Sequence, residues 1–104
     1  MSSSDNNTEN LLWNLVDNLI EQANVACEEG LNPGDAHQAL MYACARFGAF
    51  IVADNSESKA DFIEDEKDAK KFYLDQFRSF LHENFDEYRE NFKHYVGDKD
   101  ASES

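Results

Sequence analysis

Two pairs of side chains in this 104-residue sequence have the spacing to grip a metal ion. They are His82 with Asp86 and Glu90 with His94, each four residues apart. Residues at i,i+4 share one helix face, so each pair would offer an imidazole and a carboxylate to a single point. Di-iron helical bundles instead use Glu-x-x-His, and that motif does not occur here. The acidic run at 64–68, Glu-Asp-Glu-Lys-Asp, lacks the glycine and spaced ligands of a calcium loop and reads as a solvated face. No serine sits in a Gly-flanked turn, no glycine-rich phosphate loop exists, and no Cys–His arrangement suggests a nucleophile. The expectation is a protein with no catalytic residues, no metal and no cofactor. A metal-binding or enzymatic bundle built on the His–carboxylate pairs stands as an alternative.

Arg46 poses a different question. It is the single charge in 39–53, ALMYACARFGAFIVA. A guanidinium taken out of water without a partner costs several kcal/mol, so a carboxylate is expected beside it. If the segments either side of the 30–34 turn form an antiparallel hairpin, residues at equal height sum to about 63. Arg46 is then level with Asp17, with Glu21 one turn away, and a structural ion pair Arg46–Asp17 or Arg46–Glu21 is predicted. A role as an anion receptor is the functional alternative. The same arithmetic sets Cys27 and Cys44 about 12 Å apart along the axis, too far for a disulfide, so both read as small apolar residues. Their spacing fits neither a metal nor a redox motif.

The elements that would position these groups are legible from period and punctuation. Leu12, Leu15, Val16, Leu19, Ile20, Ala23, Ala26 and Cys27 share one face of a helix over about 11–29, which Gly30 stops and Leu31 closes. Asn32-Pro33-Gly34-Asp35 marks the next start: Asn32 as cap, Pro33 at the first helical position, Asp35 reaching back. The helix over about 33–54 carries a bulky face (Ala36, Leu40, Ala43, Phe47, Phe50, Ile51) and a small one (Ala45, Ala49, Ala53). A helix apolar around most of its circumference is expected to be buried. Ser58 with Asp61 caps a third helix over about 59–96, along which Phe62, Ala69, Tyr73, Phe77, Phe80, Leu81, Phe85, Tyr88, Phe92 and Tyr95 form one stripe. The fold class is all-α: a helical hairpin packed on a long C-terminal helix. The domain spans 11–96, with disordered tails over 1–10 and 97–104.

Length argues further. An unbroken helix over 59–96 runs about 57 Å, against about 30 Å for each of the first two. Either it kinks near 79–84 or its far half packs on another subunit, and we read a homodimer. Phe85, Tyr88, Phe92 and Tyr95 are the candidate interface, because aromatics dominate such contacts. The alternative is that these rings only complete the chain's own core.

Charge narrows the partners. The formal net charge is −13, and residues 1–45 hold seven acids with no Lys or Arg. Such a surface repels phosphate backbones and anionic membranes, so neither direct nucleic-acid nor membrane binding is expected. A protein partner fits better. An acidic nucleic-acid mimic docking a basic protein is the alternative, diluted by the lysines and arginines of the third helix. The 39–53 stretch is too short for a bilayer, which takes about 20 apolar residues. With no secretory pattern at the start, a cytoplasmic location is expected.

Trp13, Asn32-Pro33-Gly34, the Ala-Arg-Phe-x-Ala-Phe run at 45–50 and the closing Glu-Asn-Phe together resemble a family of small acidic helical proteins from proteobacteria known only as a domain of unknown function. The resemblance covers roughly 12–96 and rests on packing and capping motifs. It implies an all-α bacterial cytoplasmic protein, and it carries no catalytic residues over.

Overall fold

A computed structural model describes residues 2–97 as four helices: α1 (Ser2–Glu28), α2 (Pro33–Asn55), α3 (Lys59–Glu90) and α4 (Phe92–Val96). Among the described residues there is no strand, so the protein is all-α. The segment 98–104, expected to be a tail, lies outside the described residues. The chain divides into two units, Met1–Ile51 and Val52–Ser104, the boundary falling in the last turn of α2.

In the first unit, α1 begins well ahead of its apolar period, at Ser2 rather than near residue 11. No Pro or Gly in 2–10 interrupts the backbone ladder, so the helix extends through polar residues once its apolar part is formed. Its end follows the predicted punctuation. Gly30 takes φ 114°. The Leu31 amide donates to the Ala26 carbonyl at 3.0 Å and the Gly30 amide to Cys27 at 3.0 Å, the paired bonds of a Schellman cap. Two residues on, the Asn32 side-chain oxygen accepts from the Gly34 amide at 2.7 Å and so caps α2. A Cβ at Gly34 would lie 3.1 Å from that same oxygen, which is why the small residue suits the cap.

Burial in α2 departs from the sequence expectation. Only Ala36, at 5% exposure, and Gly48 are buried, while Leu40 and Val52 are half-buried. Phe47 and Phe50 stand exposed at 64% and 58%. The helix is therefore covered along a line of small and medium side chains and open where its rings lie. A helix apolar on nearly every side needs neighbours on every side, and one short chain offers cover for only part of it. On α1 the same division holds: Val16, Ala23, Ala26 and Cys27 are half-buried, while Leu12, Leu15, Leu19 and Ile20 remain exposed.

In the second unit, Ser58 in extended conformation caps α3 by accepting from the Asp61 amide at 3.2 Å. The helix then runs 32 residues, about 48 Å at 1.5 Å each, and continues unbroken through 79–84. The break comes at Asn91 instead, with φ −123° and ψ 36°. Both sites carry an asparagine that bonds back one turn. Asn84 reaches the Phe80 carbonyl at 2.8 Å, and its backbone stays helical. Asn91 reaches both the carbonyl and the carboxylate of Glu87, each at 3.2 Å, and ends the helix. Side-chain bonding of this kind competes with the ladder and succeeds where little helix follows to hold it.

Candidate interaction surface

The stripe on α3 changes character along its length. Phe62, Ala69 and Tyr73 are half-buried, whereas Phe77, Phe80 and Leu81 are exposed, and Phe85 reaches 71%. The residue types and the period do not change at that point; the cover does. Tyr88, Phe92 and Tyr95 continue the exposed part, so all four predicted interface residues lie open.

The break at Asn91 organises the end of this surface. It brings the Tyr95 ring onto Tyr88, with centroids 4.2 Å apart and planes 20° from parallel. The Tyr95 hydroxyl donates to a Glu87 carboxylate oxygen at 2.9 Å. That bond, with the adjacent negative charge, pushes the phenol above its ordinary value of 10.0. The result is a small aromatic platform tied to α3 by one carboxylate, which in turn accepts from Asn91.

On α2 the structure gives Arg46 a different partner from the predicted one. Its guanidinium lies 5.0 Å from the centroid of the Tyr42 ring and 3.5 Å from the Tyr42 hydroxyl. Asp17 and Glu21 are exposed and form no ion pair with it among the described residues. An arginine left in water has no desolvation cost that a carboxylate must offset, so a ring one turn away suffices. Together Ala39, Tyr42, Ala43, Arg46, Phe47 and Phe50 line a shallow apolar patch, with the two Phe rings 6.2 Å apart. The Tyr42–Arg46 spacing of four was legible in the sequence; the exposure that makes it sufficient was not.

A further surface escaped the sequence reading. Lys67, Lys70, Lys71 and Arg78 flank the exposed Ile63 and Leu74 on one side of α3. Lys70 pairs with Glu66, while Lys71 and Arg78 share Asp75 at 2.8 and 3.3 Å. The hydrogen bond from Lys71, aided by its charge and that of Arg78, draws the Asp75 carboxyl below its usual 3.8. Lys67 has no ion pair among the described residues. The signal was present as bases at i, i+3, i+4 and i+11, but it disappears when the helix is read only as mixed in sign.

The remaining candidates stay apart. Asp86 pairs with Arg89 at 2.9 Å rather than turning to His82. Glu90 and His94 lie on opposite sides of the helix break, and the His94 ring packs edge-on against Tyr95. No group of three or more His, Cys, Asp or Glu side chains converges among the described residues. Cys27 and Cys44 are free thiols, half-buried and exposed. Among the described residues no helix is long and apolar enough to cross a membrane.

A family model described as "Protein of unknown function (DUF3144)" matches residues 12–89. No curated protein and no solved structure matches the chain.

Proposed function

Because the chain belongs to the DUF3144 family of proteins of unknown function, no activity reaches it by kinship, and we propose the role its own surface supports. It is a non-enzymatic acidic helical module that self-associates as a homodimer through the open half of the α3 stripe and docks a protein partner in the cytoplasm. One observation carries this reading: Phe77 through Tyr95 keep the apolar stripe of 62–73 but lose its cover. Isolated helices draw little stability from propensity, and most comes from packing an apolar face. Exposed rings on this scale mark an interaction surface rather than ordinary surface residues. Phe85, Tyr88, Phe92 and Tyr95 are its anchors, because large rings gain most on leaving water. The free cysteines fit a reducing compartment.

Size-exclusion chromatography with light scattering tests the first step. The expected mass is twice the 11.9 kDa of one chain. Replacing Tyr88 and Phe92 together by Ala should return it to a single chain with the helical circular-dichroism signal retained. A wild-type mass of one chain across the whole concentration range sinks the proposal.

A further inference from the structure

Two opposite charges on α2 share one line along the helix and find no ionic partner in their own chain. Asp35 stands in the first turn of α2 and Arg46 follows eleven residues later. Eleven residues make three turns, so both lie on one face, about 17 Å apart along the axis. Both are exposed, and neither forms an ion pair among the described residues. The other acid of α2, Asp54, is eight residues from Arg46 and is turned about 80° away from it. Ala39, Tyr42, Ala43, Phe47 and Phe50 fill the face around Arg46. Tyr42 and Phe47 are each 64% exposed. All of these residues except Asp54 belong to the first unit of the chain.

We infer that this face is a self-docking surface, on which α2 of a second copy lies antiparallel about a two-fold axis. Such a contact requires that residue i meet residue j while j meets i. With the axis midway between Asp35 and Arg46, each Arg46 meets the partner's Asp35, and the ion pair occurs twice. The same register sets Tyr42 level with the partner's Ala39, a ring opposite a methyl. Leu31, itself 41% exposed, comes level with the partner's Phe50. The small side chains of Ala39 and Ala43 let the two axes approach closely. The occupant is a second copy because the face carries a cation and an anion in places that the two-fold axis exchanges, so it complements itself. In water Arg46 rests on Tyr42 without a desolvation cost; covered by a second patch it loses water, and the partner's carboxylate offsets that loss. Covering both patches removes on the order of 1,000 Å², the size of a weak and reversible association. This contact lies in the first unit and the α3 contact in the second, so it goes beyond the dimer proposed above.

The full-length Tyr88→Ala/Phe92→Ala variant isolates the α2 contact by removing the α3 anchors. That variant is a single chain when dilute, and sedimentation equilibrium into the millimolar range should find it in a monomer–dimer equilibrium. In this background Arg46→Glu sets carboxylate against carboxylate, and Asp35→Arg sets guanidinium against guanidinium. Each should weaken the dimer at least tenfold. Both substitutions in one chain exchange the two charges and should recover the dimer, which also excludes poor folding as the cause of weakening. A background variant that stays a single chain throughout overturns the inference and leaves the α3 contact standing. A dimer indifferent to either charge, or weakening without recovery in the exchanged chain, overturns it as well. If replacing Tyr88 and Phe92 leaves the wild-type dimer unchanged, the α3 reading falls, and the same charge series in the wild-type chain decides this one.

Discussion

At the scale of single residues, the turn between α1 and α2 depends on Gly30, whose φ of 114° lies where a Cβ is strained. Space does not limit a substitution there, since a Cβ would meet nothing within 4 Å. Gly30→Ala should therefore lower stability by about 1–2 kcal/mol through backbone strain alone, measured by denaturant unfolding. Tyr95 offers a second reading at this scale. Its raised phenol value means that the Glu87 bond stabilises the fold below the ordinary value of 10.0 and loses that contribution as pH rises through the folded value. Ultraviolet titration should find a tyrosine ionising above the ordinary value of 10.0, and Glu87→Ala should remove that late step. Asp75 runs the other way: its contribution is present above the ordinary carboxylate value and fades as acid reaches its lowered one.

At the scale of elements, the caps and the period explain where each helix starts and stops, and Asn91 explains why α3 ends before the stripe does. Asn91→Ala removes the side chain that bonds back to Glu87 and restores good helix propensity. α3 and α4 should then fuse, with higher helical content by circular dichroism. The Tyr88–Tyr95 stack should dissolve, because rings seven residues apart on a continuous helix are separated by about 10 Å of rise. Loss of the late-ionising tyrosine in the same variant would report that change. An unaltered titration would show that the stack does not depend on the break.

At the scale of the whole molecule, Ala36 is the single buried apolar side chain among the described residues, and many larger ones are exposed. A chain that leaves so much apolar surface in water gains stability from whatever covers it, by mass action. The melting temperature should accordingly rise by several degrees with each tenfold increase in protein concentration, read by circular dichroism. A concentration-independent melt would point to a self-sufficient monomer. Family membership over 12–89 frames this reading without supplying a reaction.

Local chemistry was enough to place the elements. Gly30, Asn32 with Gly34, and Ser58 with Asp61 act on neighbours within a few residues, so their effect is written in the chain itself. The same holds for the Tyr42–Arg46 pair and the lysines of α3, one helical turn apart. Exposure belongs to the three-dimensional arrangement. The pattern of α2 announces a buried helix and the pattern of α3 is uniform from Phe62 to Tyr88, yet exposure differs along both. Residue type and period say which side chains would gain by burial and not how much water each one meets, so only the structure could separate the half-buried part of the stripe from the exposed part and leave Arg46 in water beside a ring.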